Sequence, residues 1–277
     1  MIETLAPLHV GASAGEETGN LNLIFRDAYT QTGIIPGSSI RGRFRAEARR
    51  EDRPRSIIWF GSEAASKEHE ISEARVKFEY ASLVWLPVFS PGQPVVWVTS
   101  PRLLERYRRI TGSDLKVPDP YVGSPGLRGK EVDGGKDKVK TLFFNLGFFK
   151  VKPDASLKDW IPEPLQGTVL ADRLVVVGDA DIGAIHDMAL YRQSRVKLAD
   201  DEKKVDGGAF FNVEALPEGS VLVFPIGIRP ASDGSSERWK PFGERTGDAY
   251  SKQLYFGGLE SVGFGRTEVT LIGEEVA

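Results

Sequence analysis

Seven arginines between positions 41 and 55 are the side chains best suited to bind an anionic ligand. Arg41, Arg45 and Arg49 recur every four residues, so on a helix they would share one face. Three acidic residues stand against the seven arginines, which leaves the segment a net charge of +4 in a chain whose formal charge is −3. Because a planar guanidinium makes two hydrogen bonds to phosphate, the pattern predicts a phosphate-binding surface. The alternative is a solvated helix face neutralised by its own acids.

The residues before these arginines supply the start of the helix. Gly37, Ser38 and Ser39 follow Pro36, and a serine hydroxyl accepts hydrogen bonds from the free amides of a first helical turn. We therefore expect a helix over residues 39–50 with Ser38 or Ser39 as its N-cap. The same hydroxyls and amides can hold a phosphate, so both serines are candidate ligand-binding residues.

A glycine-rich stretch over residues 257–266 is a second candidate site. Glycine has no Cβ, so a ligand can approach the backbone closely and positive φ angles are accessible. Gly258 and Gly263 would line such an approach, and Arg266 would stand at its edge. The alternative is a tight connection between two strands.

A third candidate is a protruding β-hairpin over about residues 194–214. Arg195 begins it, an acidic turn follows at residues 200–202, and Phe210 lies on the returning strand. The pattern predicts a hairpin that protrudes from the fold and carries a charged tip. A surface hairpin without a partner is the alternative.

Common catalytic chemistry has no basis in this sequence. Cysteine is absent, and His9, His69 and His186 are far apart without metal-ligand spacing. Thiol chemistry, disulfides and zinc sites are therefore not expected, and we predict no metal site. Residues 123–130 resemble a phosphate loop only superficially, because the glycine spacing is wrong and Glu131 follows instead of Ser or Thr.

The composition favours a soluble globular protein. The chain has 277 residues, 40% hydrophobic and 27% charged, which is enough for one large domain or two small ones. No apolar run is long enough to span a bilayer. The first residues lack the basic and apolar regions of a secretory signal, so we expect a cytoplasmic protein.

Glycines and prolines divide the chain into short, mostly strand-like pieces, which predicts an α+β fold. Three segments at residues 11–20, 117–140 and 231–237 read as loops. The second of them is rich in lysine and would be either mobile or ordered by a partner. Strands are expected at residues 83–89, 95–99, 174–178, 221–228 and 266–272, and further helices at residues 101–110 and 181–193.

Several ordered blocks resemble the repeat-associated mysterious proteins, the RAMP superfamily of CRISPR systems. The first block is His9-Val10-Gly11, the second runs from Ile35 to Gly42 with Arg45, and the last is the glycine-rich stretch. Blocks in the middle of the chain are similar to the backbone subunit of type III-B (Cmr) effector complexes. They are Phe60-Gly61 and residues 72–75, 85–88, 98–106 and 195–217.

The resemblance implies a single domain over residues 1–277 with three parts. They are a ferredoxin-like (RRM-type) palm, a fingers insertion at about residues 111–150 and a β-hairpin thumb at about residues 194–214. It also implies a filament of copies arranged head-to-tail along a CRISPR RNA, with complementary target RNA and other subunits of the effector complex as partners. The implied RNA-binding residues are His9, Ser38, Ser39, Arg41, Arg45, Arg49, Arg195, Phe210, Gly258, Gly263 and Arg266.

Active backbone subunits of that family carry an aspartate in the loop after the first strand, with which they cut target RNA. Counting back from Gly37 places that position at Leu21, and Arg26 followed by Asp27 supports this register. Leucine cannot ligate a metal or transfer a proton, so we expect no catalytic residue and no cofactor. Only if Asp27, Glu17 or Glu16 were brought in instead would Mg²⁺ or Mn²⁺ be needed.

Overall fold

The computed structural model describes residues 1–11, 21–62, 73–134, 137–145, 147–198, 205–230, 238–243 and 245–273. Within these ranges the chain forms a mixed α+β structure. The α-helices are α1 (Gly37–Glu51), α2 (Arg53–Phe60), α3 (Pro101–Thr111) and α4 (Ile182–Ala189). The strands are β1 (Ile2–Thr4), β2 (Leu21–Asn22), β3 (Ile34–Ile35), β4 (Val76–Phe78), β5 (Ala81–Ser90), β6 (Gln93–Thr99), β7 (Val122–Gly123), β8 (Lys130–Gly134), β9 (Asp137–Phe144), β10 (Gly147–Pro153), β11 (Leu174–Val176), β12 (Tyr191–Leu198), β13 (Val205–Ala215), β14 (Val221–Val223), β15 (Ile226–Ile228), β16 (Ala249–Tyr255) and β17 (Arg266–Ile272).

One large mixed sheet organises the molecule. Eleven of its strands follow in the order β16, β17, β1, β14, β5, β6, β11, β7, β10, β9 and β8, and β3 also pairs with β5. Strand β1 lies between β14 and β17 and is antiparallel to both. A smaller sheet has the order β12, β13, β2, and β15 pairs with β4.

Strand β5 is buried along nearly its whole length because hydrophobic clusters cover both of its faces. Trp85 lies opposite Val221 of β14, but Leu83 lies opposite the next residue, Leu222, so Val84 is the extra residue of a bulge. The bulge inverts the alternation of side chains along the strand. Burial of both faces explains why this segment reads as a continuous apolar run.

The first helix differs from the expected one at its start. Helix α1 begins at Gly37, its N-cap is Pro36, and no side chain caps it, so the predicted serine N-cap is wrong. Proline suits this place because it has no amide to leave unbonded. Both serines lie in the first turn instead.

Two other elements also differ from expectation. Helix α2 was not predicted, although Asp52 caps it by accepting a hydrogen bond from the Arg55 amide at 3.1 Å. The helix expected over residues 181–193 ends at Ala189, and strand β12 begins at Tyr191. Antiparallel pairing of Tyr191 with Ala215 replaces the helical hydrogen bonds there.

The lysine-rich segment at residues 117–140 is not a structureless loop. It contains β7, β8 and the start of β9, and β8–β9–β10 pair as an antiparallel sheet. Strand β7 also pairs with β11 and joins these strands to the large sheet. The other two expected loops lie almost wholly outside the described residues.

Among the helices that the structure describes, none has the length and apolar character needed to cross a lipid bilayer.

Candidate nucleic-acid interface

The first turn of α1 packs closely on the strand that precedes β5. A Cβ at Gly37 would lie 2.5 Å from the carbonyl oxygen of Phe78, so only glycine fits this contact. Ser38 is exposed and Ser39 is half-buried. Neither hydroxyl has a hydrogen-bond partner among the described residues, so both can bind a ligand at the helix N-terminus.

Two of the three spaced arginines of α1 contact the end of α2. Arg41 donates to the Phe60 carbonyl, and Arg45 donates to the Gly61 carbonyl at 3.0 Å. The last carbonyls of a helix lack partners within the helix and carry partial negative charge, so cations bind there. The shared face of Arg41 and Arg45 therefore joins two helices, while Arg49 is half-buried farther along α1.

The glycine-rich loop between β16 and β17 holds the segment around His9. The Gly258 amide donates to the His9 carbonyl at 3.0 Å, and the Gly265 amide donates to the Pro7 carbonyl at 2.9 Å. Gly257 has φ +77°, and a Cβ there would lie 2.0 Å from the His9 carbonyl oxygen. These contacts require glycine at position 257.

Two other glycines of this loop leave the backbone open. At Gly258 and Gly263 an added Cβ would meet no atom within 4 Å, and both residues are exposed. Arg266, also exposed, donates to the Leu5 carbonyl at 3.3 Å. The loop is thus the strand connection that the sequence suggested, and it also presents an open glycine backbone beside a cation.

His9 lies between this loop and the base of the hairpin. The side chain is 9% exposed, and its Nδ1 lies 2.6 Å from the Glu214 carbonyl oxygen. Because a carbonyl only accepts, Nδ1 carries the proton and Nε2 is an acceptor in the neutral ring. His9 thus connects β13 to the glycine-rich loop: its ring bonds to Glu214, and its carbonyl accepts from Gly258.

The hairpin is the antiparallel pair β12–β13, as expected. The Arg195 guanidinium lies 5.8 Å from the centre of the Phe211 ring. Val196 is paired with Phe210 in the backbone, but the Phe210 side chain and the predicted charged tip lie outside what the structure describes. Arg195 is half-buried on the hairpin and does not contact His9 or the glycine-rich loop.

Four charged side chains anchor the base of the hairpin. Arg26 contacts Glu214 at 2.9 Å and Asp187 at 3.2 Å, while Arg192 contacts Glu214 at 3.1 Å and Asp187 at 2.9 Å. Burial tends to raise the pKa of Asp187, but its hydrogen bond to Arg192 and the nearby cations lower it overall. The network fixes β12 and β13 to α4. The sequence could not indicate it, because Arg26 and Glu214 are far from Asp187 and Arg192 along the chain.

His186 of α4 lies beside this network. Its Nε2 accepts from the Gly33 amide at 2.9 Å, and its Nδ1 is buried without a hydrogen-bond partner among the described residues. Burial, assisted by the Arg26 charge, lowers the pKa of His186 to about 3. The ring is therefore neutral at physiological pH.

The position expected for a catalytic aspartate lies next to the hairpin. Leu21 of β2 pairs in parallel with Asn212 of β13. The Ser194 hydroxyl donates to Asn212 Oδ1 at 2.6 Å, so the residue paired with Leu21 carries a neutral polar side chain. The two polar residues were not among the expected site residues, because only the pairing of β2 with β13 brings them there.

Asp27, a weak catalytic candidate, stabilises a local turn. Its Oδ1 accepts from the Tyr29 amide at 2.9 Å, the Thr30 amide at 2.8 Å and the Thr30 hydroxyl at 3.1 Å. Burial works to raise the pKa of Asp27, but these hydrogen bonds outweigh it and lower the pKa. The other candidates, Glu16 and Glu17, lie outside the described residues. In the part of the chain that is described, no three His, Asp or Glu side chains cluster as metal ligands.

Comparisons with known proteins identify similar chains. A Pyrococcus furiosus protein named CRISPR system Cmr endoribonuclease Cmr4 is 23% identical over 284 residues, which cover 97% of this chain and 93% of that protein. A chain in the cryo-EM structure of the Type III-B Cmr-beta bound to cognate target RNA has a TM-score of 0.68 and 18% identity, covering 96% of this chain and 94% of that one. The crystal structure of oligomeric Cmr4 from Pyrococcus furiosus has a TM-score of 0.67 and 17% identity, covering 100% and 96%.

At these identities the solved structures show a shared fold over nearly the whole length. The profile of the RAMP superfamily matches residues 1–268, which include the α1 segment, the hairpin and the glycine-rich loop. The resemblance read from the sequence is confirmed: the chain belongs to the RAMP superfamily.

Proposed function

We propose that this chain is the backbone subunit of a type III-B RNA-guided antiviral effector complex in the cytoplasm. It binds the guide RNA, holds complementary target RNA and does not cut that target itself. The observation that carries the proposal is the open glycine backbone at Gly258 and Gly263, held beside the hairpin by His9. A glycine backbone next to the exposed cation Arg266 suits sequence-independent contact with an RNA backbone.

The parts of the fold fit the three expected parts of such a subunit. The large sheet without β8–β10, together with α1 and α4, corresponds to a ferredoxin-like palm, β8–β10 to the fingers insertion and β12–β13 to the thumb. Strands β8–β10 and β12–β13 lie within or close to the expected bounds of about residues 111–150 and 194–214, respectively. The solved relatives support this division because they share the fold over nearly the whole chain.

A head-to-tail filament is the assembly that this function requires. A subunit that repeats along a guide must contact the next copy through two different surfaces, which generates an open array without closed symmetry. The solved structures of similar chains include an oligomeric Cmr4 and a Type III-B Cmr-beta bound to cognate target RNA. We therefore expect other copies of this chain, other subunits, CRISPR RNA and complementary target RNA as partners.

A substitution at Gly258 tests the RNA contact directly. Gly258→Glu places a carboxylate on the open loop without a clash, so the fold should persist while phosphate is repelled. We expect affinity for single-stranded RNA of unrelated sequences to fall roughly tenfold, with a weaker dependence on salt. Gly227→Glu, at an exposed position of strand β15, is the control. Equal RNA affinity of the two variants would contradict the proposal.

A second candidate function is metal-dependent cleavage of target RNA by displaced carboxylates. It is favoured by the name of the Pyrococcus furiosus relative, an endoribonuclease. Magnesium requires hard oxygen ligands, and the side chain at Leu21 offers none. In this reading Asp27, Glu17 or Glu16 would supply the carboxylate.

Cleavage assays separate the two functions. The unmodified chain and Leu21→Asp are each assembled with guide RNA and a complementary target in Mg²⁺ or Mn²⁺. Under the first proposal only the variant cuts the target at regular intervals. Robust regular cuts by the unmodified chain would support the second function, and alanine at each of the three carboxylates would then identify the one required.

A further inference from the structure

Strands β8–β10 expose a face that takes no part in the interface described above. Side chains alternate along these strands, and Leu142, Phe144 and Val151 are buried in the main core. The residues between them point away from the core. Two of these are aromatic: Phe143 is 46% exposed and Phe148 is 58% exposed.

The two exposed rings form one surface. Phe148 lies directly opposite Phe143 in the register of β9 and β10, and their ring centres are 6.1 Å apart. The two neighbouring rings form an apolar patch that is exposed to water. Such patches mark binding surfaces. Nucleic-acid bases stack on such rings whatever their sequence.

Lysines flank the aromatic pair on the same face. Lys130 and Lys150 both lie opposite Thr141, whose small side chain is covered, and Lys152 follows two residues along β10. All three lysines are exposed, and within the described part of the chain none is in an ion pair. Glu131 lies opposite Lys140 in register, on the other face. The aromatic face is therefore cationic.

We propose that this face is a second binding site for single-stranded RNA. Bases stack on Phe143 and Phe148, and Lys130, Lys150 and Lys152 bind the phosphates. A protein partner fits less well, because protein interfaces are depleted in lysine. A base-paired RNA fits less well too, since its bases are stacked on one another. The inference goes beyond the proposed function by adding an RNA contact outside the glycine-rich loop and the thumb.

Cross-linking to photoreactive RNA locates this contact independently of the first site. The full chain is irradiated with single-stranded oligouridine containing 4-thiouridine, and mass spectrometry maps the adducts. We expect adducts on the peptide that contains both phenylalanines. They should fall at least about fivefold in Phe143→Ala/Phe148→Ala, as loss of base stacking implies, and also in Lys130→Glu/Lys150→Glu. Ile272→Ala and Lys158→Glu, exposed residues outside this face, should leave them unchanged.

Each other outcome overturns the inference in a distinct way. Adducts confined to the glycine-rich loop or the thumb would remove the second site and leave the proposed function intact. If no adducts form on any part of the chain, both the second site and the proposed function are contradicted. A changed oligomer mass in Phe143→Ala/Phe148→Ala, measured by light scattering without RNA and with no loss of adducts, would make the face a protein interface instead.

Discussion

The arginine-rich helix α1 and the lysine-rich strands β8–β10 are both basic, but they hold their cations in different ways. Arg41 and Arg45 donate to carbonyls at the end of α2. Lys130 and Lys150 extend from an exposed sheet face without ion pairs to described residues. The difference shows that a count of cations in a sequence does not tell how many are available to a ligand.

The largest expected effect is on stability, at the arginines of α1. Arg41→Ala combined with Arg45→Ala should lower the free energy of unfolding by about 2 to 4 kcal/mol, because each side chain donates to otherwise unpaired helix carbonyls. Denaturant titration followed by circular dichroism measures this. Arg50→Ala is the matched control on the same helix, since its exposed ion pair with Glu47 contributes under about 1 kcal/mol. Equal losses in both would show that α1 and α2 are not joined through these arginines.

The next effect is a loss of stability in acid. Neither basic region can cause it, because arginine and lysine stay charged throughout the acidic range. The pKa of His186 falls to about 3 in the folded protein, below the ordinary value near 6.5. As the pH drops below about 6.5, His186 is therefore protonated in the unfolded state but not in the folded state. The free energy of unfolding falls for that reason. We expect a loss of about 1.4 kcal/mol per pH unit near pH 5, measured as unfolding free energy against pH.

His186→Gln is the matched variant for this titration. An amide cannot take up the proton, so the slope between pH 6.5 and about 4 should flatten. Below about pH 4 both proteins should lose stability further, because the lowered pKa of Asp187 means that protonation weakens its contacts with Arg192. An unchanged slope in the variant would assign the acid sensitivity to another group.

A smaller effect distinguishes a ligand site from a structural role at the start of α1. Ser38→Asp adds a carboxylate at an exposed helix N-terminus, which should raise stability by about 0.5 kcal/mol. The same carboxylate should weaken RNA binding by about 1 kcal/mol if phosphate occupies that place. Ser38→Asn keeps the shape without the charge. Unchanged RNA affinity in Ser38→Asp would exclude the first turn of α1 from the interface.

The smallest expected effect completes the comparison. Lys130→Ala and Lys150→Ala should each change the free energy of unfolding by under about 0.5 kcal/mol, since neither side chain has a partner in the described fold. Thermal unfolding measures this. A loss as large as that of the arginine variants would mean that the lysines also stabilise the fold, and the two regions would not differ.

Part of the architecture was readable from local sequence patterns. The strand at residues 266–272 and the helix from Pro101 have the predicted positions because their apolar patterns and flanking residues agree with their final environment. Helix α2 was missed although Asp52 and Pro54 mark its start, because the segment was read only as a cluster of arginines. Strands β8 and β9 were missed because the prolines, glycines and lysines of residues 117–140 led to the interpretation of a loop, whereas pairing with β10 forms a sheet there.

The sequence indicated which segments belong to the candidate site, but not how they contact one another. The glycine-rich stretch, the hairpin and His9 were expected, and the structure brings the first and last of these into contact. The contacts of Arg41 and Arg45 with α2 could not be expected, because the sequence did not predict that helix. The same holds for Asn212 beside Leu21, which is separated from it by most of the chain.

The sequence by itself determined the α+β class, the absence of cysteine chemistry, the resemblance to the RAMP superfamily and the lack of a carboxylate at Leu21. These depend on residue types, which no fold can change. Only the tertiary structure decided which cations are held by the protein and which are open, since that depends on what each side chain meets across the fold. It joined Arg41 to the end of α2, set Phe143 against Phe148, and buried His186 so that its ring stays neutral.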